Sequence, residues 1–93
     1  MNSVLEILKA HKQELFNEYP IKSLALFGSF SRGDYNENSD VDIMVEMSEP
    51  KAFAFIDLSY ALENILKRKV DLVSKNGIKD KYYSYLEKDI QYV

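Results

Sequence analysis

The sequence predicts one α/β domain, a small sheet covered by helices, over residues 1–93. Segments with helical apolar spacing alternate with short β-prone runs, in the order α-β-(short α)-β-α-β-α. The 93 residues, 46% of them hydrophobic, suffice for a single core without a second folded unit. No internal repeat, low-complexity tract or linker interrupts them.

The elements follow in order. "SVLEILKAHKQELFNEY" places Val4, Leu8, His11 and Leu15 on one helical face, widened by Leu5 and Ile7. Ser3 and Glu6 have the spacing of a capping box, and Pro20 ends the helix because a proline pushes its predecessor out of the helical region. His11 on that apolar face reads as a partly buried, hydrogen-bonded histidine. "IKSLALFG" is a buried strand stopping at Gly28, where a short helix opens, and "DVDIMVEM" is the second strand. Ser48-Glu49-Pro50 starts a helix over "KAFAFIDLSYALENILKR", with Ala52, Phe55, Ile56, Ser59, Leu62 and Leu66 on one face. Lys67, Arg68 and Lys69 then form a solvated basic helix end, where the helix dipole favours positive charge. "KVDLVS" is the third strand, Asn76-Gly77 a turn, and a last helix runs from about Ile78 to Tyr92. Tyr82, Tyr83 and Tyr85 on that helix read as core and rim residues, with stacking on a base or an interface as the competing role.

Composition removes several function classes. Twelve basic and 15 acidic residues give a net charge of −3, and no basic block exceeds Lys67-Arg68-Lys69, so no broad grip on long nucleic acid is expected. With no cysteine, neither a disulfide framework nor a thiolate metal site is available. The longest purely apolar run, Ala52 to Ile56, is far short of a bilayer span, and the N-terminus lacks the pattern of a signal peptide. A cytoplasmic protein without a membrane partner is the expectation.

Against that background, the aspartates in the strands stand out. Alternation puts Val41, Ile43 and Val45 on one face and Asp40, Asp42 and Met44 on the other. The two carboxylates then point together, with Cα atoms about 6.5–7 Å apart. Asp71 occupies the corresponding kind of position in the third strand, and adjacency of the two strands would bring three carboxylates together. Two unit charges 4 Å apart repel by roughly 4 kcal/mol at an effective dielectric of 20, so such a cluster retains a proton or takes a cation. An all-oxygen donor set suits Mg²⁺ or Mn²⁺, and a pair of such ions can clamp both oxygens of a phosphoryl displacement. Gly28-Ser29 supplies a seat for phosphate, Arg32 a charge to neutralise it, and Gly33 the turn into the polar loop "DYNENS".

Gly28-Ser29, ten residues, then Asp40-x-Asp42, within "GSFSRGDYNENSDVDIMV", resembles the signature of the beta-polymerase nucleotidyltransferase superfamily. Its setting resembles the minimal nucleotidyltransferase (MNT) family, and "KVDLV" is similar to that family's third-aspartate strand. The resemblance implies a nucleotidyltransferase fold, an α+β arrangement with a small three-stranded mixed sheet and about four helices. It implies that Gly28 and Ser29 hold the triphosphate, that Asp40 and Asp42 ligate two Mg²⁺ ions, and that Asp71 ligates one ion and helps activate an acceptor hydroxyl. The implied reaction is transfer of AMP from ATP, with pyrophosphate leaving. The implied partner is a HEPN-domain toxin, modified on a tyrosine by this chain as antitoxin of a type VII-like toxin–antitoxin pair. Larger relatives carry a further acceptor-shaping domain, so acceptor recognition here would fall to a partner or a second copy, in a hetero-oligomer or homodimer. Two other functions fit the same residues: a catalytically silent antitoxin that blocks a HEPN ribonuclease by binding, and an aminoglycoside-type transferase acting on small molecules.

Overall fold

Residues 3–49 and 51–93 are described by a computed structural model. The first β-prone run forms β1 (Ile21–Phe27), the second β2 (Val41–Met47) and the third β3 (Val70–Ser74). β1 and β2 pair antiparallel, whereas β2 and β3 pair parallel, with Asp42 opposite Asp71. A parallel pair requires a crossover, and the long helix between β2 and β3 provides it.

The N-terminal segment forms two helices rather than one, α1 (Ser3–Ala10) and α2 (Lys12–Glu18). The break falls at His11, whose backbone leaves the helical region at φ −101° and ψ 5°. With its proton on Nδ1, the His11 ring donates to the Ile7 carbonyl at 2.9 Å, so the half-buried histidine caps the end of α1. Ser3 is already helical, so a cap would fall on residue 2, outside the described residues. The short helix after Gly28 is α3 (Ser29–Arg32). Pro50 likewise lies outside the described residues, and α4 (Ala52–Leu66) starts after an extended Lys51.

The buried stripe of α4 is rotated from the predicted one. Leu58, Leu62 and Leu66 are buried, whereas Ile56 is 48% exposed and joins Phe53 and Tyr60 on the outer side. Leu62 and Leu66 of the predicted face are buried and Phe55 packs against the core, while Leu58 takes the place expected for Ile56 and keeps three leucines in register over the sheet. They pack with Val4, Leu8 and Leu15 from α1 and α2 against Leu24, Leu26, Val41, Ile43 and Val45 of the sheet.

The largest correction is at the C-terminus. The last helix, α5, covers only Asp80–Leu86; a 3₁₀ turn at Glu87–Asp89 follows, then a fourth strand, β4 (Gln91–Tyr92). The sheet therefore has four strands in the order β3-β2-β1-β4. A continued helix would leave the outer edge of β1 with unpaired backbone groups. Instead Tyr92 and Gln91 lie antiparallel to Ala25 and Leu26, and the Val93 N–H donates to the Leu24 carbonyl at 2.9 Å.

Candidate active site

The register fixes which side chains share the sheet face opposite the main core. Phe27 lies opposite Asp42 on the β1–β2 pair, and Asp42 lies opposite Asp71 on the β2–β3 pair. Directly opposed residues point to the same face, so Phe27, Asp42 and Asp71 form one row across three strands, with Met44 and Val73 in the next row. The alternation in β2 is as expected: Val41, Ile43 and Val45 enter the core and Asp42 turns the other way.

A cleft of about 620 Å³ opens over this row. Its walls include Gly28, Arg32, Asp42 and Asp71 on one side, and Ile78, Lys79, Tyr82 and Leu86 on the other. The site is therefore half anionic and cationic, half apolar, with α5 as the apolar lip. Tyr82 belongs to this lip although it is 60% exposed, whereas Tyr85, 79% exposed, faces away from the cleft lining. Tyr83 is turned toward the end of the chain, its hydroxyl 3.4 Å from that of Tyr92, and this hydrogen bond is the first cause of its raised pKa.

Asp42 is the electrostatic centre. Burial raises its carboxyl pKa above the usual range, the negative charges of Asp71 and then Asp40 raise it further, and Arg32 opposes them. Asp40 itself is exposed, just ahead of β2, in a hollow shared with Asn38, Ser39 and the Lys67–Lys69 turn. Among the described residues no three His, Cys, Asp or Glu side chains converge as a metal cage. The expected three-carboxylate cluster is thus a cross-strand pair, Asp42 and Asp71, with Asp40 acting on it through charge. That pair fits Mg²⁺, which is usually held by one or two carboxylates together with waters and substrate phosphates rather than by an all-protein cage.

The turn after β1 is shaped for close approach. Gly28 has φ 74°, a left-handed conformation, and the Ser31 and Arg32 N–H groups both donate to its carbonyl at 3.0 Å. Ser29 opens α3 beside the cleft wall, and Gly33, at φ 91°, closes α3 with its N–H on the Ser29 carbonyl at 2.8 Å. Ser29 and Gly33 thus shape the turn, while Gly28 and Arg32 line the cleft. Phe30 is buried beneath α3 and stacks on Tyr35, with ring centroids 4.1 Å apart. The Arg68 guanidinium lies 5.1 Å from the Phe30 ring centroid, so this residue of the basic helix end is a packing element rather than a solvated charge.

Arg32 is not alone. Its Nε is 3.2 Å from Asp34 and its Nη1 3.4 Å from Asp89, and these carboxylates raise its pKa. Asp89, together with Ile78, Lys79 and Leu86, escaped the sequence reading. The β-prone "QYV" ending is the available signal for the returning chain, although the predicted helix runs through Gln91 and Tyr92.

The profile of the nucleotidyltransferase domain matches residues 6–93. A Methanocaldococcus jannaschii protein, provisionally named a protein adenylyltransferase, is 51% identical over 79 residues, covering 84% of this chain and 92% of its own length. The protein adenylyltransferase MntA of Thermococcus cleftensis is 37% identical over 94 residues, covering 100% of this chain and 95% of its own length. A solved structure provisionally described as a minimal nucleotidyltransferase superposes with a TM-score of 0.77 at 27% identity, over 94% of this chain and 93% of that one. The fold is also found in a complex of a tri-AMPylated Shewanella oneidensis HEPN toxin with its MNT antitoxin, with a TM-score of 0.65 and 23% identity over 99% of this chain and 71% of that one.

Proposed function

The chain belongs to the nucleotidyltransferase domain family, as one of its minimal (MNT) members, and from that premise we propose that it transfers AMP from ATP to a tyrosine hydroxyl of a partner HEPN toxin, as the antitoxin of the pair. The observation that carries the chemistry is the in-register pair of Asp42 and Asp71 beside Gly28 and Arg32 in one cleft. The similarity to protein adenylyltransferases supports a protein acceptor, and the fold's occurrence in a toxin–antitoxin complex supports the choice of partner.

In this reading Arg32 and the Gly28 turn receive the triphosphate, and the apolar lip of Ile78, Tyr82 and Leu86 receives the base. Asp42 and Asp71 would hold Mg²⁺, with Asp40 completing the negative field; bound Mg²⁺ supplies charge stabilisation at the transferring phosphoryl group and the leaving pyrophosphate. The acceptor oxygen bonds to the α-phosphorus, the bond from that phosphorus to the bridging oxygen of the pyrophosphate breaks, and the hydroxyl proton passes to Asp71. The partial burial of Asp42 reduces screening of the charge interactions at the reacting centre. Among the described residues no helix is long and apolar enough to cross a membrane.

The test uses the purified chain, ATP labelled at the α-phosphate, Mg²⁺ and the co-expressed partner. A labelled tyrosine on the partner, lost with chelator and in D42N, is the expected result. Label on another residue type overturns the tyrosine assignment, and no label with any acceptor overturns transfer. Growth rescue by D42N, with the complex intact, would instead establish inhibition by binding alone.

A further inference from the structure

α3 is a single turn, too short to hold its own conformation, so its placement depends on what packs around it. Phe30 fixes its inner side. The outer side is tied by the chain returning to the sheet edge. The Ser31 hydroxyl donates to the Asp89 carbonyl, Gln91 Nε2 donates to the Ser31 carbonyl at 3.1 Å, and the Asp89 carboxylate pairs with Arg32 at 3.4 Å. These contacts join residues 57 to 60 positions apart in the chain, and they act on the residues that carry Arg32 to the cleft.

We propose that Asp89 and Gln91 are positioning residues for the phosphates of the nucleotide, an assignment that rests on the nucleotide-transfer reading above. Gln91 sets the height of α3 through the Ser31 carbonyl. Asp89 fixes one edge of the Arg32 guanidinium while Asp34 holds Nε, so the long side chain loses rotamer freedom before the anion arrives. A guanidinium carries five donors, and these two carboxylates leave donors for phosphate oxygens. The Asp89 side chain is 18% exposed and that of Arg32 44%, so the pair is half-exposed and its weight lies in orientation rather than in stability. Neither residue touches the reacting atoms; each acts through Arg32 and α3.

The experiment compares the full chain with D89N, Q91L and D89E, measuring calorimetric Kd for ATP with Mg²⁺, KM and kcat for transfer, and Tm. D89N and Q91L should each raise Kd and KM roughly threefold to tenfold, the scale of one or two lost hydrogen bonds, with kcat within about twofold. D89E should recover part of the loss. Unchanged Kd and KM in variants that remain folded overturn the proposal, as does a lowered Tm without a change in Kd. D89N keeps the backbone carbonyl that Ser31 uses, so it decides the matter if Q91L does not fold. Failure of the unsubstituted chain to bind ATP overturns the transfer reading and this assignment with it; normal wild-type binding with indifferent variants overturns only this assignment.

Discussion

Gly28 and Asp42 share a space that a side chain at position 28 would fill: a Cβ built there stands 3.0 Å from the Asp42 Cγ and overlaps Oδ2. The same glycine has φ 74°, so sterics and backbone conformation impose the same residue. The carboxylate at the centre of the cleft lies directly over the Gly28 turn.

Gly28→Ala should therefore damage both parts at once. Strain at a positive φ costs about 1–3 kcal/mol, and the displaced Asp42 should lower transfer by at least about a hundredfold. Urea denaturation and labelled-ATP turnover measure the two effects separately.

Asp42→Asn should abolish more than about 99% of transfer while leaving the fold intact, because one of the paired carboxylates proposed to hold Mg²⁺ is gone. It should also change the pH dependence of the metal-free chain. Burial, followed by Asp71 and Asp40, raises the folded pKa of Asp42, so the folded chain keeps this proton to higher pH than the unfolded chain. The group's contribution to stability is full below the unfolded carboxyl range, near about pH 4, and is lost as pH rises through the folded value. Calorimetry without metal should show that loss in the native chain and not in D42N. Mg²⁺ should restore Tm at neutral pH, since it binds the deprotonated form.

Tyr82→Ala should weaken ATP binding by about tenfold, within the range of base–aromatic stacking, and leave kcat nearly unchanged. Tyr85→Ala, away from the cleft lining, serves as the comparison. Equal effects of both substitutions on KM would remove Tyr82 from the nucleotide site.

Lys67→Gly should stabilise the chain by up to about 1 kcal/mol. Lys67 ends α4 in the left-handed region at φ 56° and ψ 35°, with its N–H on the Glu63 carbonyl at 2.8 Å. Glycine adopts that conformation without the steric cost of a Cβ. A higher midpoint in urea at unchanged slope is the expected readout, and a lower midpoint would show that Lys67 is not strained there.

How much of this was legible in the sequence differs by element. The rows of β2 and β3 were readable because alternation has a period of two, and a charged residue between Val41 and Ile43 has only one way to point. Gly28 was readable because a strand ending at glycine admits few alternatives. One missed feature is local and three depend on distant residues. His11 breaks the first helix by capping Ile7 with its ring, a local choice that apolar spacing does not encode. Leu62 and Leu66 are buried as the spacing predicts, but Leu58 rather than Ile56 completes the stripe of α4, because the sheet selects the residues that fill it best. Arg68 found the Phe30 ring only once α4 had been laid across the sheet. Asp89 met Arg32 only because the chain end crosses to β1, and no short-range pattern reports a contact between such separated positions. The cleft's apolar lip went unread for the same reason, since it exists only where α5 hangs over Asp42 and Asp71.

The two-residue β4 has one more consequence, for the order in which the molecule breathes. β1 and β2 pair from Ile21↔Met47 to Phe27↔Asp42, with one register shift between Ile21 and Ser23, but β4 is held only at Ala25↔Tyr92 and Leu26↔Gln91. Short, half-exposed segments open at lower free energy than the strands beneath them. In heavy water the Val93 amide should exchange well before the amide of Ile43, which lies in β2 between β1 and β3. The chain end would then detach and reseat many times during the life of one folded molecule, releasing Arg32 from Asp89 at each excursion while the carboxylate row stays assembled.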